Sequence, residues 1–245
     1  APIIAVPTTA GTGSEVGRAS VITNSETHAK KIIFHPRVLP SVVICDPELT
    51  VGMPGFITAG TGLDAFAHCV EAYSSPFYHP MSQGIALEGM RLVKEYLPRA
   101  YADGTDIEAR AQMMSAAAMG ATAFQKGLGA IHAMSHPVGA HFNTHHGTTN
   151  AVCMPAVLEF NAPAIAGRFD SAAAYLGIPG GFGGFRAFVQ EFNDSLGIPR
   201  RLSELGVTAE SIPELVKGAI TDPSCGGNPV ELTEENLAAL FNAAL

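Results

Sequence analysis

Five of the nine histidines fall between residues 128 and 147, in "LGAIHAMSHPVGAHFNTHHG". The segment is otherwise mostly apolar and weakly charged. His132 and His136 stand four residues apart, a spacing that puts both on one face of a helix. His146 follows after the turn "FNTHHG". Upstream, Asp64 and His68 repeat the same four-residue spacing, among Leu63, Ala67 and Cys69. A lone buried histidine is ordinarily a hydrogen-bonded core residue, and one Asp-His pair an intrahelical contact. Together, ionisable groups on apolar faces are costly unless paired or bound to a metal. One carboxylate and several imidazoles form an O/N donor set suited to Zn²⁺ or Fe²⁺. No cysteine lies close to the His132–His146 segment, which favours a catalytic over a structural metal. His141 and His145 read as structural or surface residues.

A second feature is "PTTAGTGSE" at 7–15. Small residues at 10, 11 and 13 let backbone N–H groups approach a ligand. Thr8, Thr9, Thr12 and Ser14 add hydroxyls. This is the chemistry of a phosphate or ribose cradle. It is neither GxGxxG nor a Walker A sequence, and an ordinary polar turn has the same composition.

Those residues need elements to hold them. "IIAVP", "ASVIT", "KIIFH" and "SVVICD" read as short buried strands separated by turns. Beyond Pro54 the periodicity turns helical. Pro80 suits a helix start, and acidic residues precede "ARAQMMSAAAMG". Further helical windows cover 129–142, 148–160, 162–176, 183–196, 211–221 and 233–245. The fold class expected is mainly α. A β-rich head over 1–48, the remnant of an α/β, Rossmann-like domain, precedes an all-helical body over 49–245.

The chain of 245 residues is 47% hydrophobic and 15% charged, ample for a buried core. No run of about 18 uninterrupted apolar residues occurs, so no membrane span is expected. The net charge of -8 offers no basic face to a nucleic acid. Four separated cysteines without a CxxC pair point to free thiols and a cytoplasmic location.

The motifs "PTTAGTGSE", "DPELT", "TGLDAFAHCVEAYSS", "GAIHAMSHPVGAHFNTHHG" and "AVCMP", in that order, resemble the iron-containing (group III) alcohol dehydrogenases. The resemblance covers essentially the whole chain. It implies NAD or NADP and Fe²⁺ (or Zn²⁺) as cofactors, an alcohol or aldehyde as substrate, and a homo-oligomer, a dimer. By motif position it implies Asp64, His68, His132 and His146 as metal ligands. His136 would be a proton-relaying histidine beside the nicotinamide. Thr8, Thr9, Thr12, Lys30 and Leu49 would touch the cofactor. A "GGGS"-type turn and the first βα unit of such enzymes are not in this sequence. The expectation is therefore a nucleotide domain represented only by its later half. A dehydroquinate-synthase-like lyase, a metal-dependent hydrolase and a non-catalytic metal-binding fragment are the competing readings.

Overall fold

A computed structural model describes residues 2–23 and 30–245. Among the described residues four short strands come first: β1 (Ile4–Ala5), β2 (Ala19–Thr23), β3 (Lys30–Phe34) and β4 (Val42–Val43). β1 pairs with β4 in parallel, and β2 with β3 antiparallel, Ala19 opposite Phe34. Eight α-helices follow among the described residues: α1 (Gly55–Ser74), α2 (Pro80–Ala102), α3 (Ile107–Ala123), α4 (Ala130–Phe142), α5 (His146–Tyr175), α6 (Gly181–Ser195), α7 (Ile212–Ile220) and α8 (Glu234–Ala244). The protein is mainly helical, as its periodicity predicts. No described helix is long and apolar enough to cross a membrane.

The strands form where expected but are not buried. Ile4, Val42, Val43, Ile33 and Phe34 are exposed. Each sheet has only two strands among the described residues, so the apolar faces meet no covering layer. β-branched composition selects extended backbone, whereas burial needs a third layer that local sequence does not encode.

α1 is the axis of the helical body. Nearly every residue from Thr58 to Ser74 is buried, with α2, α3 and α5 packed around it. Phe66 on α1 joins Phe169 of α5 and Phe185, Phe188 and Phe192 of α6 in an aromatic cluster; Phe169 and Phe185 meet edge to face at 4.8 Å. The backbone of α1 also comes very close to α5. A β-carbon at Gly147 would run into the Gly60 carbonyl, so glycine at 147 sets the helix separation.

A buried helix end leaves carbonyls without partners. Two cations satisfy them at the end of α1. Lys126 donates from Nζ to Ala72 O (2.9 Å) and Ser75 O (2.6 Å). Arg168 donates to Tyr73 O (2.6 Å), Ser74 O (3.1 Å) and Ser75 O (2.9 Å). Positive charge is favoured at this pole of the helix dipole. Burial nevertheless pushes the Lys126 ammonium down to about 8.

The two windows 148–160 and 162–176 fuse into the single helix α5, despite Pro155 and Pro163 within it. Pro155 has no N–H to donate to the Ala151 carbonyl. Asn193, from α6, supplies the donor at 2.8 Å. The carbonyl four residues before Pro163 belongs to Glu159, an exposed residue that water can reach.

Lys126→Met is expected to lower unfolding free energy by about 2–4 kcal/mol, because it orphans buried carbonyls. Urea denaturation measures this, and a loss within experimental error of zero contradicts the capping role.

Candidate metal centre

Three helices converge on one carboxylate. α1 presents Asp64, His68 and Glu71 from consecutive turns of one face. α4 contributes His132 and His136, and α5 contributes His146 and Asn150. Asp64 Oδ1 lies 3.6 Å from His68 Nε2, 3.6 Å from His132 Nε2 and 3.5 Å from His146 Nε2. These gaps are too long for hydrogen bonds. They are close to the ~3.4 Å edge of a tetrahedral shell whose metal–ligand bonds are about 2.1 Å. Ligand atoms of Asp64, His132 and His146 all fall within 4.8 Å of one another. His68 stands outside that tight triad, stacked on His132 with ring centroids 4.8 Å apart.

The donor set also fits a cation by what it leaves unsatisfied. His68 is buried, its Nδ1 has no partner among the described residues, and its Nε2 is beyond hydrogen-bond reach of Asp64. Buried polar atoms are seldom left in that state. His132 is held from behind. Glu71 Oε2 sits 2.6 Å from its Nδ1, and Glu71 Oε1 accepts the Ile131 N–H at 2.7 Å. A carboxylate on one ring nitrogen is the usual device for aiming the other at a metal. The Asp64, His68 and His132 side chains are buried, whereas His136 and His146 are each 40% exposed. The centre therefore has a closed floor and an open side.

Burial alone would raise the Asp64 carboxyl. The His68, His146 and His132 imidazoles around it more than offset this and hold it well below the usual carboxylate range. Burial pushes His68 down to about 4 and His146 down to about 3, despite Asp64. Both therefore keep bare ring nitrogens at neutral pH. His132 goes the other way: burial opposes its charge, but Glu71 and Asp64 push it up to about 9.

Three comparisons with known proteins bear on this arrangement. The model of the Fe-containing alcohol dehydrogenase family, C-terminal, matches residues 58–245, and that of iron-containing alcohol dehydrogenase matches residues 1–47. This chain belongs to the iron-containing alcohol dehydrogenase family. Among its relatives, a 4-hydroxybutyrate dehydrogenase of Cupriavidus necator is 44% identical over 255 residues, covering 100% of this chain and 66% of the relative. An NAD-dependent methanol dehydrogenase of Bacillus methanolicus is 39% identical, with the same coverage. A crystal structure of 1,3-propanediol oxidoreductase superposes with a TM-score of 0.96 at 38% identity, covering 100% of this chain and 66% of that one. A sulfoacetaldehyde reductase from Bifidobacterium kashiwanohense, in complex with NAD⁺, superposes at 0.92 with 33% identity, covering 99% and 64%. This chain thus spans about two thirds of the length of these relatives.

Within this family member, the structure gathers Asp64, His68, His132, His136 and His146. Sequence reading missed three partners. Glu71 had a signal, an acid one helical turn beyond His68. Asn150 lies one turn after His146 and looks like an ordinary polar residue. Asp222 has no local signal; its Oδ2 meets His136 Nδ1 at 2.7 Å across 86 residues of sequence. Although burial opposes ionisation, His136 holds the Asp222 carboxyl low. His141 is exposed, and His145 is structural, its Nδ1 accepting from Thr148 N at 3.3 Å at the head of α5.

The Thr/Gly turn packs against α3. Gly13 has a φ of 64°, and a β-carbon there would meet the Ala117 carbonyl. An open cavity of about 280 Å³ lies over the turn, lined by Thr9, Thr12, Gly13 and Ser14 among others. Thr8 and Leu49, both exposed, do not line it. The Lys30 side chain lies outside the described residues.

In chelator-treated protein these shifts set a pH optimum for stability. His68 and His146 bind protons more weakly folded than unfolded, so stability falls as pH drops from 6.5 toward about 4. His132 binds its proton more strongly when folded, so stability falls as pH rises from 6.5 toward about 9. The slope is about 1.4 kcal/mol per pH unit for buried His68 and smaller for the partly exposed His146. Urea titrations across this range should show a maximum near the ordinary histidine value of 6.5, and a flat profile contradicts the assignment.

Proposed function

We propose that the chain carries the metal centre of an NAD- or NADP-linked alcohol dehydrogenase that interconverts an alcohol and an aldehyde or ketone. The observation behind this reading is the single carboxylate oxygen ringed by three imidazole nitrogens at 3.5–3.6 Å, in a chain of this family. Asp64, His68, His132 and His146 are the proposed ligands of Fe²⁺ or Zn²⁺. When bound, the cation supplies Lewis acidity toward the alcohol or carbonyl oxygen, and the nicotinamide carries the hydride.

The chain's own residues do the rest. Glu71 fixes the His132 ring so that Nε2 faces Asp64. The half-open flank beside His146 and His136 admits substrate, while the α1 floor excludes water. His136 is the proposed proton relay. The Asp222 carboxylate takes the Nδ1 proton's hydrogen bond, which leaves Nε2 to exchange a proton with substrate. The turn bearing Thr8, Thr9 and Thr12 is the proposed nucleotide contact, and Lys30 and Leu49 are proposed to touch the cofactor as well. We place the division between nucleotide and metal units at residues 48 and 49. The last described strand ends at Val43 and the first α-helix starts at Gly55, with a 3-10 turn at Pro47–Thr50 across the division. A homodimer in a reducing, cytoplasmic setting completes the proposal; the cysteines in the structure are free.

Metal analysis of two variants tests the roles. His132→Ala should lose stoichiometric metal and activity together, and retained metal would overturn the ligand assignment. His136→Ala should keep its metal and slow turnover on the order of 10²-fold or more; loss of metal there would reverse the two roles.

A further inference from the structure

We propose that Asn150 is a built-in competitor of the metal: in the metal-free protein its side-chain amide holds the ligand lone pairs that a cation must take, so the cation enters by displacing it. This rests on the metal reading above and adds a residue that reading does not include.

Asn150 is fully buried one helical turn beyond His146. Its Nδ2 donates to Asp64 Oδ1 at 2.8 Å and lies 3.2 Å from both His146 Nε2 and His132 Nε2. The orientation follows from charge, since an amide oxygen so placed would face the Asp64 carboxylate. An amide nitrogen has two hydrogens. One serves Asp64, and the other has His146 Nε2 within reach. A neutral imidazole has one in-plane lone pair on that nitrogen. An N–H and a cation cannot both occupy it.

The other end of the amide supports this. Asn150 Oδ1 is buried and has no partner among the described residues. The Asn161–Asn228 pair satisfies both ends, with bonds of 2.9 and 2.8 Å, whereas Asn193, which serves the Ala151 carbonyl, leaves its Oδ1 unpartnered as Asn150 does; what sets Asn150 apart is that its donor end meets the ligand cluster. In Asn150 the donor end meets two acceptors, Asp64 Oδ1 and His146 Nε2, and lies against His132, while Oδ1 has no partner among the described residues. Its resting position is set by the vacant lone pairs of the ligand cluster.

Competition has a sign opposite to ligation. Zn²⁺ affinity, measured by chelator competition on wild type and Asn150→Ala, should tighten roughly 3- to 10-fold in the variant. The metal-free variant should also melt lower than metal-free wild type, with the gap closing on Zn²⁺ loading. Unchanged or weaker Zn²⁺ binding in the variant overturns this proposal alone. A wild type that binds no stoichiometric Zn²⁺ overturns the metal reading, and this proposal with it. Should the variant fail to fold, ¹⁵N-labelled wild type decides. The Asn150 side-chain amide proton on His146 should lose its hydrogen-bonded shift when Zn²⁺ is added, and an unchanged amide pair overturns the displacement.

Discussion

Everything in the helical body answers to one buried negative charge. Asp64 sits in the middle of a helix enclosed on nearly all sides, where a carboxylate would ordinarily be neutralised by taking up a proton. The His132 imidazolium beside it and the Asn150 amide, which donates to Oδ1 at 2.8 Å, favour its ionised form instead. Those partners come from α4 and α5, so the electrostatic requirement of one side chain bears on the relative placement of α1, α4 and α5. The close passage of α1 over Gly147 brings the His146 end of α5 within reach of that oxygen.

Holding the charge there requires α1 itself to be held. Its carbonyl end is clamped by Lys126 and Arg168, and its centre by the phenylalanine cluster of α5 and α6. Glu71, one turn beyond His68, ties the same helix to α4 through both the His132 ring and the Ile131 backbone. The result is a rigid floor beneath two less buried histidines. Residues that would hold a cation on one side and pass a proton on the other need that division between a fixed, dry side and an accessible one.

Much of the site was legible in the sequence because its residues break the rule of their surroundings. Asp64 and His68 interrupt an apolar helical face, and His132 and His146 stand in an apolar stretch. Helical spacing then says which of them share a face. The partners that complete the geometry were hidden for one shared reason: each acts across distance in the chain. Asp222 reaches His136 over 86 residues, and Asn193 replaces the hydrogen bond that Pro155 removes from 42 residues away. No local window contains such a pair. The strands show the same limit from the other side. Their β-branched runs located them correctly, but composition could not say that Ile4 and Val42 would stay exposed.

The central claim is that one carboxylate and three imidazoles form a single metal shell. X-ray absorption at the zinc edge, on protein loaded with one equivalent of Zn²⁺, examines that shell directly. The account predicts only nitrogen and oxygen neighbours at about 2.0–2.1 Å, with the multiple scattering of three imidazole rings. A sulfur neighbour at about 2.3 Å, or scattering from fewer than two rings, would contradict it.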